Sequence, residues 1–318
     1  MEVISMPMWA WILFYALVIV MLYADLKLFG RKGQHEVSIS EALKMTVVWI
    51  GVSLIFCGGI GYFEGNNKAM EFLAGYLIEK SLSMDNLFVF LMLFSFFGVQ
   101  RKYQHEVLFW GIFGALVLRS IFIFAGAAMV QKFEWILGIF GVFLIYTGIK
   151  MFSHKDDESV DPSKNIFVKL FKKFFPVTDQ MHEDKFFIIE NGKRLATPLF
   201  IALLVIETTD VAFAVDSIPA VFSVSRDPFI VLTSNIFAIL GLRALYFALA
   251  AIAKYFAYLK YGLGIILSFV GVKMLLEVLP APLHYEVRTP ISLLIIFGVL
   301  VLSMLASYVA TLYSRKRQ

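Results

Sequence analysis

Nine apolar runs dominate the chain, at about 7–25, 43–63, 71–97, 107–130, 134–152, 198–222, 229–251, 260–279 and 290–313. Most hold roughly 17–25 residues, enough for a helix to cross about 30 Å of hydrocarbon; the third is long enough to tilt or break. The expected fold is all-α, a polytopic membrane bundle of about nine transmembrane helices. One sizeable polar stretch, 153–197, separates the fifth run from the sixth. Within it, Asn165 to Phe175 is basic and amphipathic, suited to an anionic membrane surface or simply to a positively charged flank. Lys185 to Ala196, with Asn191-Gly192 at its centre, predicts a small hairpin with a type I′ turn.

Composition agrees with the pattern. Hydrophobic residues make up 60% of the 318 and charged residues 16%, against roughly 25% charged in a soluble domain. Charge placement then sets the expected topology. Of 28 Lys and Arg, twenty fall in the segments assigned to the inside and four (Lys68, Lys132, Arg226, Arg288) in those assigned to the outside, a strong positive-inside bias. The N-terminus is therefore expected outside and the C-terminus in the cytoplasm. The opening MEVISMPMW lacks a basic n-region and reads as a retained anchor. The lone Cys57 excludes an internal disulfide framework and a Cys-ligated cluster within one chain.

The sequence also repeats itself. Glu79 and Asp85 in the third run are six residues apart, as are Asp210 and Asp216 in the sixth. Asn86 and Ser217 follow the second acid of each pair. Arg119 in LRSIFIF answers to Arg243 in LRALYF, and Gly148-Ile149-Lys150-Met151 answers to Gly271-Val272-Lys273-Met274. Residues 71–152 and 198–279 thus read as two three-helix units, and the topology makes them inverted. Inverted repeats with polar residues at mid-membrane characterise secondary transporters.

Ionisable residues inside a bilayer are rare and mark function by default. Glu79, Asp85, Glu207, Asp210 and Asp216 outnumber the basic residues within the runs, Lys80, Arg119, Arg243 and Lys273, if the two lysines snorkel outward. Arg119 and Arg243 could each balance one acid, which leaves at least one carboxylate to meet a proton or a cation. Six positions turn a helix through roughly 240°, so Glu79 and Asp85 either flank an unwound turn or face different neighbours, while Glu79, Ser83 and Asn86 share a face. Pro219 would free a carbonyl beside Asp216. All five histidines lie outside the runs. Oxygen donors of this kind suit Mn²⁺, Ca²⁺ and Mg²⁺, and a thioether from Met84 would favour Mn²⁺.

EKSLSMDNLFVFLMLF, ETTDVAFAVDSIPAVF and DPFIVLTSNIFAILGLRALYF resemble the TerC family of bacterial integral membrane proteins, most nearly its Alx-type members, over almost the whole chain. The resemblance implies a nine-span inner-membrane protein of manganese homeostasis that exports Mn²⁺, with a historical link to tellurium resistance. It carries the family's acidic motif residues onto Glu79, Asp85, Asn86, Glu207, Asp210 and Asp216, and a first-span acid onto Asp25. The expected function is divalent-cation export by alternating access, with Mn²⁺ as cargo, protons as counter-ion and the lipid bilayer as partner. No enzymatic reaction, permanent cofactor or nucleic acid is expected. Ser217, Asp25 and Met84 are secondary candidates, and Asp25 reads as a helix-end residue or an ion-access point. A membrane scaffold for stress resistance and a membrane redox modulator are the alternatives.

Overall fold

A computed structural model describes residues 6–30, 39–133, 135–153, 166–178, 180, 182, 185–190, 192–252, 259–279, 285 and 287–315. Its long helices are α1 (Met8–Gly30), α2 (Ile39–Glu64), α3 (Asn66–Phe96), α4 (Arg101–Lys132), α5 (Ile136–Ser153), α7 (Pro198–Phe222), α10 (Leu259–Val278) and α11 (Thr289–Arg315). A bent pair, α8 (Pro228–Ile239) and α9 (Leu242–Ile252), fills the seventh apolar run. The architecture is all-α and polytopic. Six helices (α1, α2, α4, α7, α10, α11) are long and apolar enough to cross a membrane, and the bent pair makes a seventh candidate. The helix α3 carries five charged residues along its length and α5 is shorter, so neither qualifies by length and composition alone.

The centre of the bundle is α8, all twelve residues of which are buried. Its Phe237 meets Phe56 of α2 at 4.5 Å between ring centroids, and Phe14 and Phe72 complete the cluster. Asp227 caps its N-terminus by accepting from the Phe229 amide at 3.0 Å. At the other end the chain turns through Gly241, φ +85°, and bends by 40° into α9. A Cβ on Gly241 would lie 2.7 Å from the Trp49 side chain. Sterics and backbone sign both demand glycine there. Outward-facing Ile55, Phe63 and Leu294 are strongly exposed, as expected of surfaces whose solvent is lipid.

The helices α5 and α10 touch through backbone. A Cβ on Gly141 would stand 2.8 Å from the Gly271 carbonyl oxygen, and one on Gly148 would stand 2.7 Å from that of Gly264. The pairing runs antiparallel. Small residues let membrane helices approach this closely.

Of the two alternatives for α3, the unwound turn is not found: the helix is continuous from Asn66 to Phe96, through both Glu79 and Asp85, so positions 79 and 85 fall on different faces of it. The helix α7 is likewise unbroken: Pro219 stands in its last turn, and the N–H it lacks leaves the Val215 carbonyl without its helical donor while few residues follow that a kink could redirect. The break lies instead between α8 and α9. The hairpin forms as the sequence predicts, β1 (Phe187–Glu190) pairing antiparallel with β2 (Lys193–Ala196) and Glu190 opposite Lys193. Gly192, at φ +75°, supplies the positive dihedral a type I′ turn needs; Asn191 lies outside the described residues. The short helix α6 (Ile166–Phe174) packs beside the start of α7.

Candidate functional site

Arg119 of α4 is the hub. Its guanidinium is 1% exposed, and its Nη2 and Nε donate to the two oxygens of Asp210 on α7 at 2.8 and 3.1 Å. This is the fork geometry that suits arginine to a carboxylate. Nη1 donates to Glu79 Oε1 on α3, with Ser217 Oγ and Asn235 Oδ1 at 3.4 and 3.5 Å. The second oxygen of Glu79 accepts from Asn235 Nδ2 of α8 at 2.8 Å, and Ser83 Oγ donates to the first at 3.2 Å. Four helices thus meet at one buried, hydrogen-bonded network. Glu79 and Ser83 meet because they are four apart on a regular helix.

The remaining acids of α7 lie outside that network. Glu207 has one oxygen, Oε2, buried with no hydrogen-bond partner among the described residues. Its carboxylate occupies the notch left by Gly114 of α4, where a Cβ would fall 2.4 Å from the carboxyl carbon. Asp216 is half-buried and accepts a long hydrogen bond, 3.5 Å, from Thr147 of α5. Neither makes an ion pair among the described residues. Asn86 is buried and Met84 half-buried on α3; the side chain of Asp85 lies outside the described residues. Among the described residues no three His, Cys, Asp or Glu side chains converge as a metal-binding group.

Three basic residues depart from expectation. Lys80 and Lys273 do not snorkel; both are buried. Lys80 Nζ donates to the Ala238 carbonyl at the C-terminal end of α8 (3.1 Å), and Lys273 Nζ to the Ser223 carbonyl at that of α7 (2.6 Å). Each ammonium therefore sits on the negative end of a helix dipole, where orphan carbonyls need donors. Arg243 does not join the central acids. It pairs with Asp25 Oδ2 at 2.6 Å and donates to the Asp25 carbonyl. Asp25 is not a helix-end residue either, since α1 continues to Gly30 and buries it.

A second polar region opens at one end of the bundle, a cavity of about 580 Å³ lined by Lys68, Glu71, Asp227, Lys273 and Glu277, among others. Lys68 bridges Glu71 and Asp227 at 3.1 and 3.3 Å, and Arg226 reaches Glu277 at 3.3 Å. The N-terminal end of α3 and the C-terminal end of α7 both border it, so these two helices run in opposite directions.

Sequence reading did not single out Asn235, Thr147 or Gly114. Asn235 had a signal, being an amide within an apolar run; Thr147 and Gly114 had none beyond their contacts.

The profile of the integral membrane protein TerC family matches residues 64–317. This chain belongs to the TerC family. Among curated relatives, "Putative membrane-bound redox modulator Alx" of Photorhabdus laumondii is 48% identical over 84% of this chain and 85% of its own length. The Escherichia coli K12 protein of the same name is 45% identical over 96% of this chain and 95% of its own. An uncharacterized membrane protein of Myxococcus xanthus is 47% identical over 94% and 92%. No solved structure matches. These relatives match this chain over most of their own length.

Proposed function

We propose that this TerC-family protein is a bacterial inner-membrane transporter that exports a divalent cation, Mn²⁺ foremost, by alternating access. The observation that carries the reading is the charge surplus on α7. Arg119 supplies one positive charge to two acids, Glu79 and Asp210, while Glu207 and Asp216 on the same helix make no ion pair among the described residues. Glu207 keeps an oxygen buried and unsatisfied. A buried carboxylate in that condition is stable only with a proton or a cation. Oxygen donors select hard ions, so Ca²⁺ and Mg²⁺ share the chemistry; Met84, the neighbour of Asp85, tilts it toward Mn²⁺.

On this reading the two groups of acids divide the work. Arg119 stands in for the cation at Glu79 and Asp210 in the empty site, which offsets one of their two negative charges. Glu207 and Asp216 stand nine residues apart on an unbroken helix, so they meet the ion at successive points along α7, with Asp85 and Asn86 contributing from α3, and Glu79 and Asp210 join when Arg119 withdraws. A carboxyl that releases a divalent ion can accept H⁺ at the same atoms, so exchange with protons follows. The cytoplasmic C-terminus and outside N-terminus rest on the positive-inside bias.

The helix contacts support the inverted repeat. In the sequence correspondence Gly141 is equivalent to Gly264 and Gly148 to Gly271, yet Gly141 meets Gly271 and Gly148 meets Gly264. That exchange of partners is what a two-fold axis between α5 and α10 produces. The opposed directions of α3 and α7 agree with it.

The test is Mn²⁺ flux in proteoliposomes under an imposed pH gradient. Mn²⁺ is expected to move toward the proton-rich side, and Glu207→Gln or Asp216→Asn to abolish the movement in a folded protein. Flux indifferent to the gradient would remove proton coupling; absence of flux for any divalent ion would remove transport. The relatives' name, "Putative membrane-bound redox modulator Alx", favours a redox role as the second reading. Within one chain Cys57 has no thiol partner and donates Sγ–H to the Ala69 carbonyl at 3.4 Å. Redox function through this thiol predicts that Cys57→Ser is inactive; transport predicts that it is not.

A further inference from the structure

The helix α6 presents three arcs. Val168 and Phe171 face the body: Val168 is buried, and the Phe171 ring lies 5.1 Å from Phe200 of α7 and 5.3 Å from Phe175. Ile166, Leu170 and Phe174, spaced i, i+4, i+8, form a second arc and are 73%, 54% and 75% exposed. Lys169, Lys172 and Lys173 fill the third, exposed and without ion pairs among the described residues. Docking on α7 therefore uses only one part of the apolar surface. A bare apolar stripe beside a lysine arc fits the boundary of an anionic bilayer, where acyl chains meet phosphate oxygens.

We propose that α6 binds anionic phospholipid, with Ile166, Leu170 and Phe174 in the acyl boundary and the three lysines on headgroup phosphates. The position of α6 selects lipid over an acidic protein. Phe171 holds it against Phe200, in the first turn of a 25-residue apolar helix long enough to cross the membrane. A helix tethered where α7 leaves the hydrocarbon has the bilayer surface as its nearest large partner. The aromatic contact also means that lipid engagement bears on α7, the helix of Glu207 and Asp210.

The experiment uses the full chain with Cys57→Ser and Leu170→Cys, labelled with an environment-sensitive fluorophore and placed in nanodiscs. In phosphatidylcholine with phosphatidylglycerol, the label is expected to be blue-shifted, quenched by doxyl lipids and shielded from iodide. In phosphatidylcholine alone, or with Lys169, Lys172 and Lys173 all changed to Glu, it is expected to become iodide-accessible. Removing three attractive lysines should shift the bound-to-free ratio by on the order of a hundredfold. High salt with the lysines intact should weaken insertion without any change of fold. A label that stays iodide-accessible with phosphatidylglycerol overturns the proposal, as does one equally shielded in both lipids and in the charge-reversed variant. Neither result depends on metal transport.

Discussion

Arg119 decides most of what happens at the level of single residues. Removing one partner from a buried, hydrogen-bonded charge pair leaves the others stranded, and typically costs 3–5 kcal/mol. Arg119→Leu is therefore expected to lower stability by about that much, because it strands both Glu79 and Asp210. Adding Glu79→Gln and Asp210→Asn should recover much of the loss, while transport stays absent. Thermal unfolding in detergent, read for the single and the triple variant, checks both halves. A triple variant as unstable as the single would mean that Arg119 acts by packing and not by charge. Gly114 offers a second case. Ala at 114 drives its Cβ into the Glu207 carboxylate, an overpacking expected to cost about 1–3 kcal/mol. Glu207→Ala in the same chain should relieve it, and a double-mutant cycle measures the coupling directly.

At the level of elements, the break between α8 and α9 governs both a fold and a charge. Gly241→Ala opposes a positive φ and a contact with Trp49 at once, and is expected to destabilise by more than the roughly 1 kcal/mol of an ordinary helix Gly/Ala exchange. The same variant should disturb Lys80, whose ammonium rests on the last turn of α8; a chemical-denaturation midpoint and the accessibility of Lys80 to amine reagents would report the two effects separately. The helices themselves were legible. Each apolar run became a helix or a bent pair, and Asn191-Gly192 placed the hairpin. The charged residues were legible too, because a carboxylate in an apolar run stands out at sight. What could not be read was their pairing. Glu79 meets Asn235 across 156 positions and Arg243 meets Asp25 across 218, and no local pattern encodes such partners. Nor does a lone glycine announce its dihedral, so the break at Gly241 was not foreseen.

For the whole molecule, the arrangement of ends tests the orientation. Lys68, residues 223–227 and Thr289 border one cavity, all in segments expected outside, whereas Gln104 meets Tyr246 at 2.9 Å, near the ends expected inside. Single cysteines at 66 and 103 in a Cys57→Ser background should therefore label from opposite faces of the membrane. Labelling of both from one face would end the inverted-repeat reading.

The glycine contact between α5 and α10 has a mechanical side. Leu275 seats over Gly141, Ser268 over Gly148, Phe152 over Gly264 and Ile145 over Gly271, so side chains of each helix fill the notches that the other's glycines leave. Such a seam is a keyed joint. Sliding along it would have to lift the whole set from its notches at once, because packed interfaces are bistable and do not deform continuously. The two helices should therefore travel as one strut, and the units that carry the acids can tilt about this seam but not slip along it.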